Sequence, residues 1–300
     1  MKVMDQNISK EVLRWQEKLF QRSVRRQARF RKVKQLLGIT SNQNCLEVTS
    51  GDGIIGQQLR LDGGIWTTLA TSHDAQAALD YFVKQQVQVL EGETINEPDH
   101  SFDAVVIIDA LERIRDDYAF IKECHRVLKP DGRLIVTAGR KMVFPVGGGL
   151  LRVLLGQSWK RRGLERAGYT AHEFFDVLKD GFDVPETVSY STCCVEAPGL
   201  ICEAMANKLT GGPYNMPSAN ADTENFYHYT KLYALGILVY PFMWLSAKID
   251  KALRFILPGH NLVARTKRRV WRERRTPILI DGRSIAEAAL NTKIGTAAPF

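Results

Sequence analysis

Between residues 44 and 190 the chain alternates short, continuous apolar runs with stretches of helical periodicity. The runs at 45–48, 66–71, 87–90, 104–108, 133–138 and 182–190 predict strands. Several are uninterrupted β-branched segments such as Ala104-Val105-Val106-Ile107-Ile108, which suit central strands covered on both faces. Residues 53–61, 74–84, 116–128 and 170–178 predict the intervening helices, and Lys129-Pro130-Asp131-Gly132 predicts a turn before the strand at 133–138. This order implies an α/β fold of Rossmann-like, doubly wound type with a mostly parallel sheet.

The flanks follow other patterns. Val12, Trp15 and Leu19, then Phe30, Val33 and Leu37, recur at three- and four-residue steps, so residues 9–37 predict one amphipathic helix ended by Gly38. Arg14, Lys18, Arg22, Arg25, Arg29 and Lys32 occupy its other faces. Beyond Cys194 a helix is expected at 198–209, then a Gly/Pro/Asn-rich linker at 210–225. Sixteen uncharged residues, 232–247, come next. They fall short of the roughly 20 needed to span a bilayer and are interrupted by Gly236 and Pro241. The expected organisation is a basic helix at 1–43, a ligand-binding domain at 44–195 and a mostly helical C-terminal extension at 196–300.

Charge sharpens that division. The formal net charge is +8, but residues 10–34 carry 10 basic and 2 acidic residues, and residues 265–275 carry 7 basic and 1 acidic. The central domain is therefore mildly acidic, and the basicity sits in the flanks. An apolar, aromatic-rich segment followed by a basic stretch with Trp271 is the order expected of a peripheral contact with anionic membrane, while a buried helical cap over the site remains the other reading. The five cysteines include no C-x-x-C pair, which argues against a disulfide framework and against a zinc site. With no secretory pattern near Met1, the expected localisation is cytoplasmic, at the inner membrane face if the contact forms. No recognised RNA-binding module accompanies the basic helix, so a nucleic-acid partner is not expected, and the oligomeric state is open.

Candidate chemistry centres on the first strand–helix turn, since parallel α/β sheets bind ligands beyond the carboxyl ends of their strands. There Glu47-Val48-Thr49-Ser50-Gly51-Asp52-Gly53 supplies glycines that let a ligand approach the backbone, with Gly56 one turn on. Further along lie Gly92-Glu93, the segment from Ser101 through Asp109-Ala110-Leu111-Glu112, the run Glu123-Cys124-His125-Arg126-Val127-Leu128-Lys129-Pro130-Asp131-Gly132-Arg133-Leu134, Gly168-Tyr169-Thr170 and Gly181-Phe182. As an ordered set covering about half the chain, these resemble the class I S-adenosylmethionine-dependent methyltransferases.

The resemblance implies S-adenosyl-L-methionine as cofactor. By it, Glu47, Thr49, Gly51 and Gly53 hold the methionyl end, Glu93 and Thr94 sit by the adenine, and Asp109 faces cofactor and substrate. Thr49 stands where the family motif has its first glycine, and the second strand lacks a clear terminal carboxylate. Asp74 lies about where a ribose-binding carboxylate belongs but is the better candidate for a helix N-cap, and Ser72 or His73 is then the expected ribose partner. The implied activity is methyl transfer to an oxygen or nitrogen of a small-molecule, lipid-linked or envelope-related substrate. A non-catalytic binding or scaffold protein of the same fold, and an RNA methyltransferase, are the alternatives. His125 is expected to pack, His172 and Tyr169 are weak candidates for a base, and no residue is named as catalytic. No metal is expected.

Overall fold

The computed structural model describes residues 14, 16–51, 53–80, 87–141, 159–210, 223–253 and 256–272. Asp52, the first few residues of the expected N-terminal helix, most of the linker and the end of the C-terminal extension lie outside the described residues.

Seven strands build the sheet: β1 (Asn44–Thr49), β2 (Ile65–Ala70), β3 (Gln88–Val89), β4 (Phe102–Ile108), β5 (Leu128–Gly139), β6 (Phe182–Tyr190) and β7 (Asn261–Arg268). Their spatial order is β3-β2-β1-β4-β5-β7-β6. All pairs are parallel except those of β7, which runs antiparallel to both β5 and β6. The chain reverses direction between β3 and β4, so β1 and β4 flank the switch point and open a crevice at their carboxyl ends.

Alternation along each strand assigns the two faces. Leu46, Val48, Val105, Ile107, Leu134 and Val136 pack with Phe120, Ile121 and Cys124 of α4 (Asp117–Val127) and with Phe174 and Leu178 of α5 (Ala171–Leu178). On the opposite face Cys45, Ala104, Val106, Ile108 and Ile135 pack with Val33, Leu36 and Leu37 of α1 (Val24–Leu37) and with Ile54, Ile55 and Leu59 of α2 (Ile54–Arg60). Burial on both faces is what the continuous apolar runs require. Local signals set the helix starts: the Asp116 carboxylate accepts from Ala119 N–H at 2.9 Å, and Thr170 with Glu173 forms a reciprocal capping box.

Three expectations change. The helix expected over 9–37 is divided at Ser23, whose extended backbone and side chain cap α1 by accepting from Arg26 N–H. The turn at Lys129-Pro130-Asp131-Gly132 lies inside β5, because Leu128 already pairs with Phe102 and the register shifts before Ala104 meets Arg133. The region beyond 195 is not wholly an extension. Residues 261–268 return as β7 in the interior of the sheet, so the helical hairpin of α6 (Cys193–Thr210) and α7 (Thr223–Leu253) is an insertion between β6 and β7. The hairpin packs back on the start of α1, where Val24 meets Val195 and Met243.

Candidate functional site

Position 47 falls on the α2 face of β1, in register with Thr68 on β2 and Val106 on β4. The Glu47 side chain is fully buried there, and Arg60, at the end of α2, donates to its Oε2 at 2.6 Å and also to Thr68 Oγ1. Room for that carboxylate comes from Gly56, because a Cβ at 56 would lie 2.0 Å from Glu47 Oε1. Gly56 is therefore a packing glycine rather than a point of ligand approach.

The loop above is shaped by Thr49 and Gly53. Gly53 adopts φ +76°, the left-handed conformation that suits glycine, and leads directly into α2. Thr49 is buried at the end of β1, and its Oγ1 accepts from Gly51 N–H at 3.1 Å. The side chain that replaces the first glycine thus folds inward and braces the loop.

Asp109 follows β4 with φ +52°, an uncommon conformation for a residue with a side chain and one that Asp tolerates better than most. Ser50 donates its hydroxyl to the Asp109 carbonyl, and Asp109 N–H donates to Thr137 Oγ1 at 3.1 Å. Loop β1–α2 and the end of β4 are thereby joined. The Asp109 carboxylate is held by Arg29 of α1, whose Nε donates to the Tyr190 hydroxyl at 3.3 Å. Burial opposes the charge of Arg29, but Asp109 and Tyr190 prevail and hold its pKa above the ordinary value. Burial pushes the Tyr190 phenol up to about 12, so it stays protonated through the physiological range. Glu112, in the 3-10 turn Leu111–Arg113, is buried, and its carboxyl is raised by burial first and by Asp109 next. It accepts the backbone N–H of Gly139.

The other expected residues sit apart. His73 is the exposed first residue of α3 (His73–Leu79), which is capped by Ser72 accepting from Ala75 N–H; Asp74 is therefore not the cap. Glu93 and Thr94 lie on the turn after β3, with Glu93 Oε1 accepting from Asp116 N–H at 3.2 Å. His125 is buried, 2.7 Å from the Arg269 carbonyl and edge-on to Phe182 and Trp271, and burial lowers its pKa. His172 is 84% exposed on α5, where it pairs with Asp176. Tyr169 is buried and donates to Asp117 at 2.8 Å. Arg29, Arg60, Glu112 and Tyr190 carry no role from sequence; the one available signal was the arginine stripe on the N-terminal helix. Among the described residues no cluster suits a metal ion.

S-adenosylmethionine fits the residues present. Glu47 Oε1, in the second half of β1, and Thr71 Oγ1, just past β2, are buried without hydrogen-bond partners, as befits a site completed by a ligand. The first turn of α2 holds no acidic residue to repel a ligand carboxylate.

The comparisons agree with this geometry. Residues 46–136 match the family model described as a methyltransferase domain. A demethylmenaquinone methyltransferase from Corynebacterium efficiens is 30% identical over 125 residues, which cover 42% of this chain and 54% of that protein. The mitochondrial ubiquinone biosynthesis O-methyltransferase of Rattus norvegicus is 32% identical over 111 residues, covering 34% and 32%. The chain thus matches about half the length of the first of these relatives and a third of the second. Among solved structures, a putative sarcosine dimethylglycine methyltransferase from Galdieria sulphuraria shares the fold with TM-score 0.50 at 15% identity, over 81% of this chain and 87% of that one. The geranyl diphosphate C-methyltransferase from Streptomyces coelicolor A3(2) has TM-score 0.50 at 10% identity, over 81% and 76%. With its strand order, its glycine turn and the match at 46–136, the chain carries a methyltransferase domain of the S-adenosylmethionine-dependent fold.

Proposed function

We propose that this chain transfers a methyl group to a small molecule of quinone type, or to a hydroxylated ring precursor of one. The observation that carries methyl transfer is the Glu47–Gly53 turn after β1, braced by Thr49 and tied through Ser50 to Asp109. When bound, S-adenosylmethionine supplies a methyl group on a sulfonium, open to in-line displacement. The chain's task is then alignment, which supplies a large share of such a rate. Glu47 and the loop fix one side of the site, and Asp109 fixes the other. Arg29 balances the Asp109 charge, and burial keeps the Tyr190 hydroxyl protonated through the physiological range. The quinone class rests on the names of the two relatives above, each matched over part of its length.

Substrates of that class are apolar, and α7 offers a surface suited to their source. Leu238 (70% exposed), Phe242 (69%), Leu245 (54%) and Ile249 (46%) recur at four- and three-residue steps along one face, with Trp244, Lys248 and Lys251 beside them. No helix among the described residues is long and apolar enough to cross a membrane. Contact at the interface of an anionic, cytoplasm-facing leaflet is the reading we favour. RNA is disfavoured as a partner because Arg25 and Arg29 are engaged by Glu196 and Asp109.

Titration calorimetry with S-adenosylhomocysteine tests the core of this proposal, and a folded, monodisperse sample that gives no binding heat would sink it in favour of a scaffold role. Flotation with anionic vesicles tests the surface: Leu238→Ser with Phe242→Ser should abolish co-flotation, and unchanged flotation would remove α7 from the account.

A further inference from the structure

Two arginines beside the Asp109 turn lack a carboxylate of their own. Arg113 closes the 3-10 turn after β4, and Arg162 closes a second such turn, Lys160–Arg162. The turns are fastened together: Glu165 N–H donates to the Glu112 carbonyl at 2.8 Å, and a Cβ built on Gly163 would lie 3.6 Å from Arg113 Nη1. Elsewhere the guanidinium groups of Arg25, Arg29, Arg60, Arg126, Arg166 and Arg269 each hold a carboxylate. Among the described residues neither Arg113 nor Arg162 makes an ion pair, and Arg113 Nε is buried without an acceptor.

The acids within reach are committed. Asp109 is taken by Arg29, and Glu112 receives the Gly139 N–H while burial disfavours its ionisation. The pKa of Arg113 is lowered by burial first and by the charge of Arg162 next, and the attraction of Asp109 and Glu112 does not offset the two. Partly buried like charges without an ion-pair partner raise the free energy of the fold, and such arrangements cluster where a ligand completes the charge balance. Both turns lie near the carboxyl edge of the sheet, on the side where this fold takes its ligands.

We propose that Arg113 and Arg162 form a receptor for an oxyanion, a carboxylate or a phosphate, carried by the methyl acceptor. Planar, forked donors suit both groups, and an anion seated there would lie beside Asp109 and the crevice. That the anion belongs to the acceptor rests on the proposed function; that the arginines bind an anion does not.

The test uses the full chain and three probes of similar size: benzoate, phenyl phosphate and neutral benzamide, with binding followed by ligand-observed NMR. The native protein should prefer at least one anion over benzamide by about tenfold, the scale of one charge-assisted contact. Which anion wins identifies the group. Arg113→Met and Arg162→Met should each erase the preference while S-adenosylhomocysteine affinity stays within about twofold. Because each substitution relieves a repulsion, both variants should melt no lower than the native protein. Equal binding of all three probes by the native protein overturns the proposal. So does a lowered melting temperature with the anion preference intact, which would make the pair structural. Anion preference without S-adenosylhomocysteine binding would leave the receptor standing and remove the methyltransferase reading instead.

Discussion

Gly56→Ala separates two physical effects of opposite sign. Position 56 lies inside α2, where helix propensity alone favours alanine over glycine by about 1 kcal/mol. The structure predicts a loss instead. A Cβ at 56 would fall 2.0 Å from Glu47 Oε1, 2.1 Å from Oε2 and 2.3 Å from Cδ. The carboxylate could yield only by leaving its present seat beside Arg60, whose guanidinium is 2.6 Å from its Oε2, because its backbone is fixed between β2 and β4. If α2 moves outward, the overpacking costs about 1–3 kcal/mol. If Glu47 is driven off Arg60, breaking the buried pair costs about 3–5 kcal/mol. Less the propensity gain, the net loss is about 0–2 kcal/mol by the first route and about 2–4 kcal/mol by the second, the latter a fall of roughly 3–6 °C in melting temperature for a chain of this size. Urea denaturation supplies the free energy. Glu47→Ala/Gly56→Ala should lie closer to Glu47→Ala alone than additivity allows, by about 2 kcal/mol. A Gly56→Ala protein more stable than the native one refutes the assignment of Gly56 as the seat of the Glu47 carboxylate.

Three further outcomes follow from the site. The Tyr190 pKa is raised, so its contribution to stability is complete below its unfolded value near 10 and is lost as pH climbs toward about 12. Tyr190→Phe should remove that alkaline slope from a pH series of urea melts, and a retained slope would assign it to other groups. The Glu112 carboxyl is also raised, so it favours the fold most below the ordinary carboxyl range and progressively less as pH rises through its folded value. Glu112→Gln keeps an acceptor for Gly139 N–H and cannot ionise; it should be at least as stable as the native protein at pH 7.5, and a lower stability there would refute the burial cause. At Asp109, φ +52° should make Asp109→Ala about 1 kcal/mol less stable than Asp109→Gly, since both lose the Arg29 contact and only alanine is strained. Equal stabilities would show that the backbone there is relaxed.

What the sequence disclosed and what it concealed differ in range. The central strands were legible because burial on both faces writes a continuous apolar run, as in residues 104–108, and α4 and α5 because Asp116 and Thr170 cap them within four residues. The division at Ser23 was missed because the apolar period continues across it. β7 was missed for another reason: Asn261-Leu262-Val263-Ala264-Arg265-Thr266-Lys267-Arg268 alternates poorly, and its basic residues resemble a surface stretch. Its place in the sheet is set by pairing with β5 and β6, more than 70 residues away in sequence.

The site shows the same limit more sharply. Its glycine turn is local and was visible, but its charges come from segments far apart in the chain. Arg29 meets Asp109 across 80 residues, and Arg25 meets Glu196 in the hairpin inserted after β6. Nothing in periodicity distinguishes an arginine that closes a site from one that faces water, because both occupy the polar side of an amphipathic helix. The three segments that composition separates are therefore one electrostatic unit at the carboxyl edge of the sheet. The domain supplies Asp109 and Glu112, and α1 supplies the cation that makes a carboxylate beside the crevice tolerable. The inserted hairpin supplies the acid that holds α1 in place. Shortening the N-terminal helix would then disturb the site more than its distance in sequence suggests, since Asp109 would lose the partner that fixes it between Ser50 and Thr137.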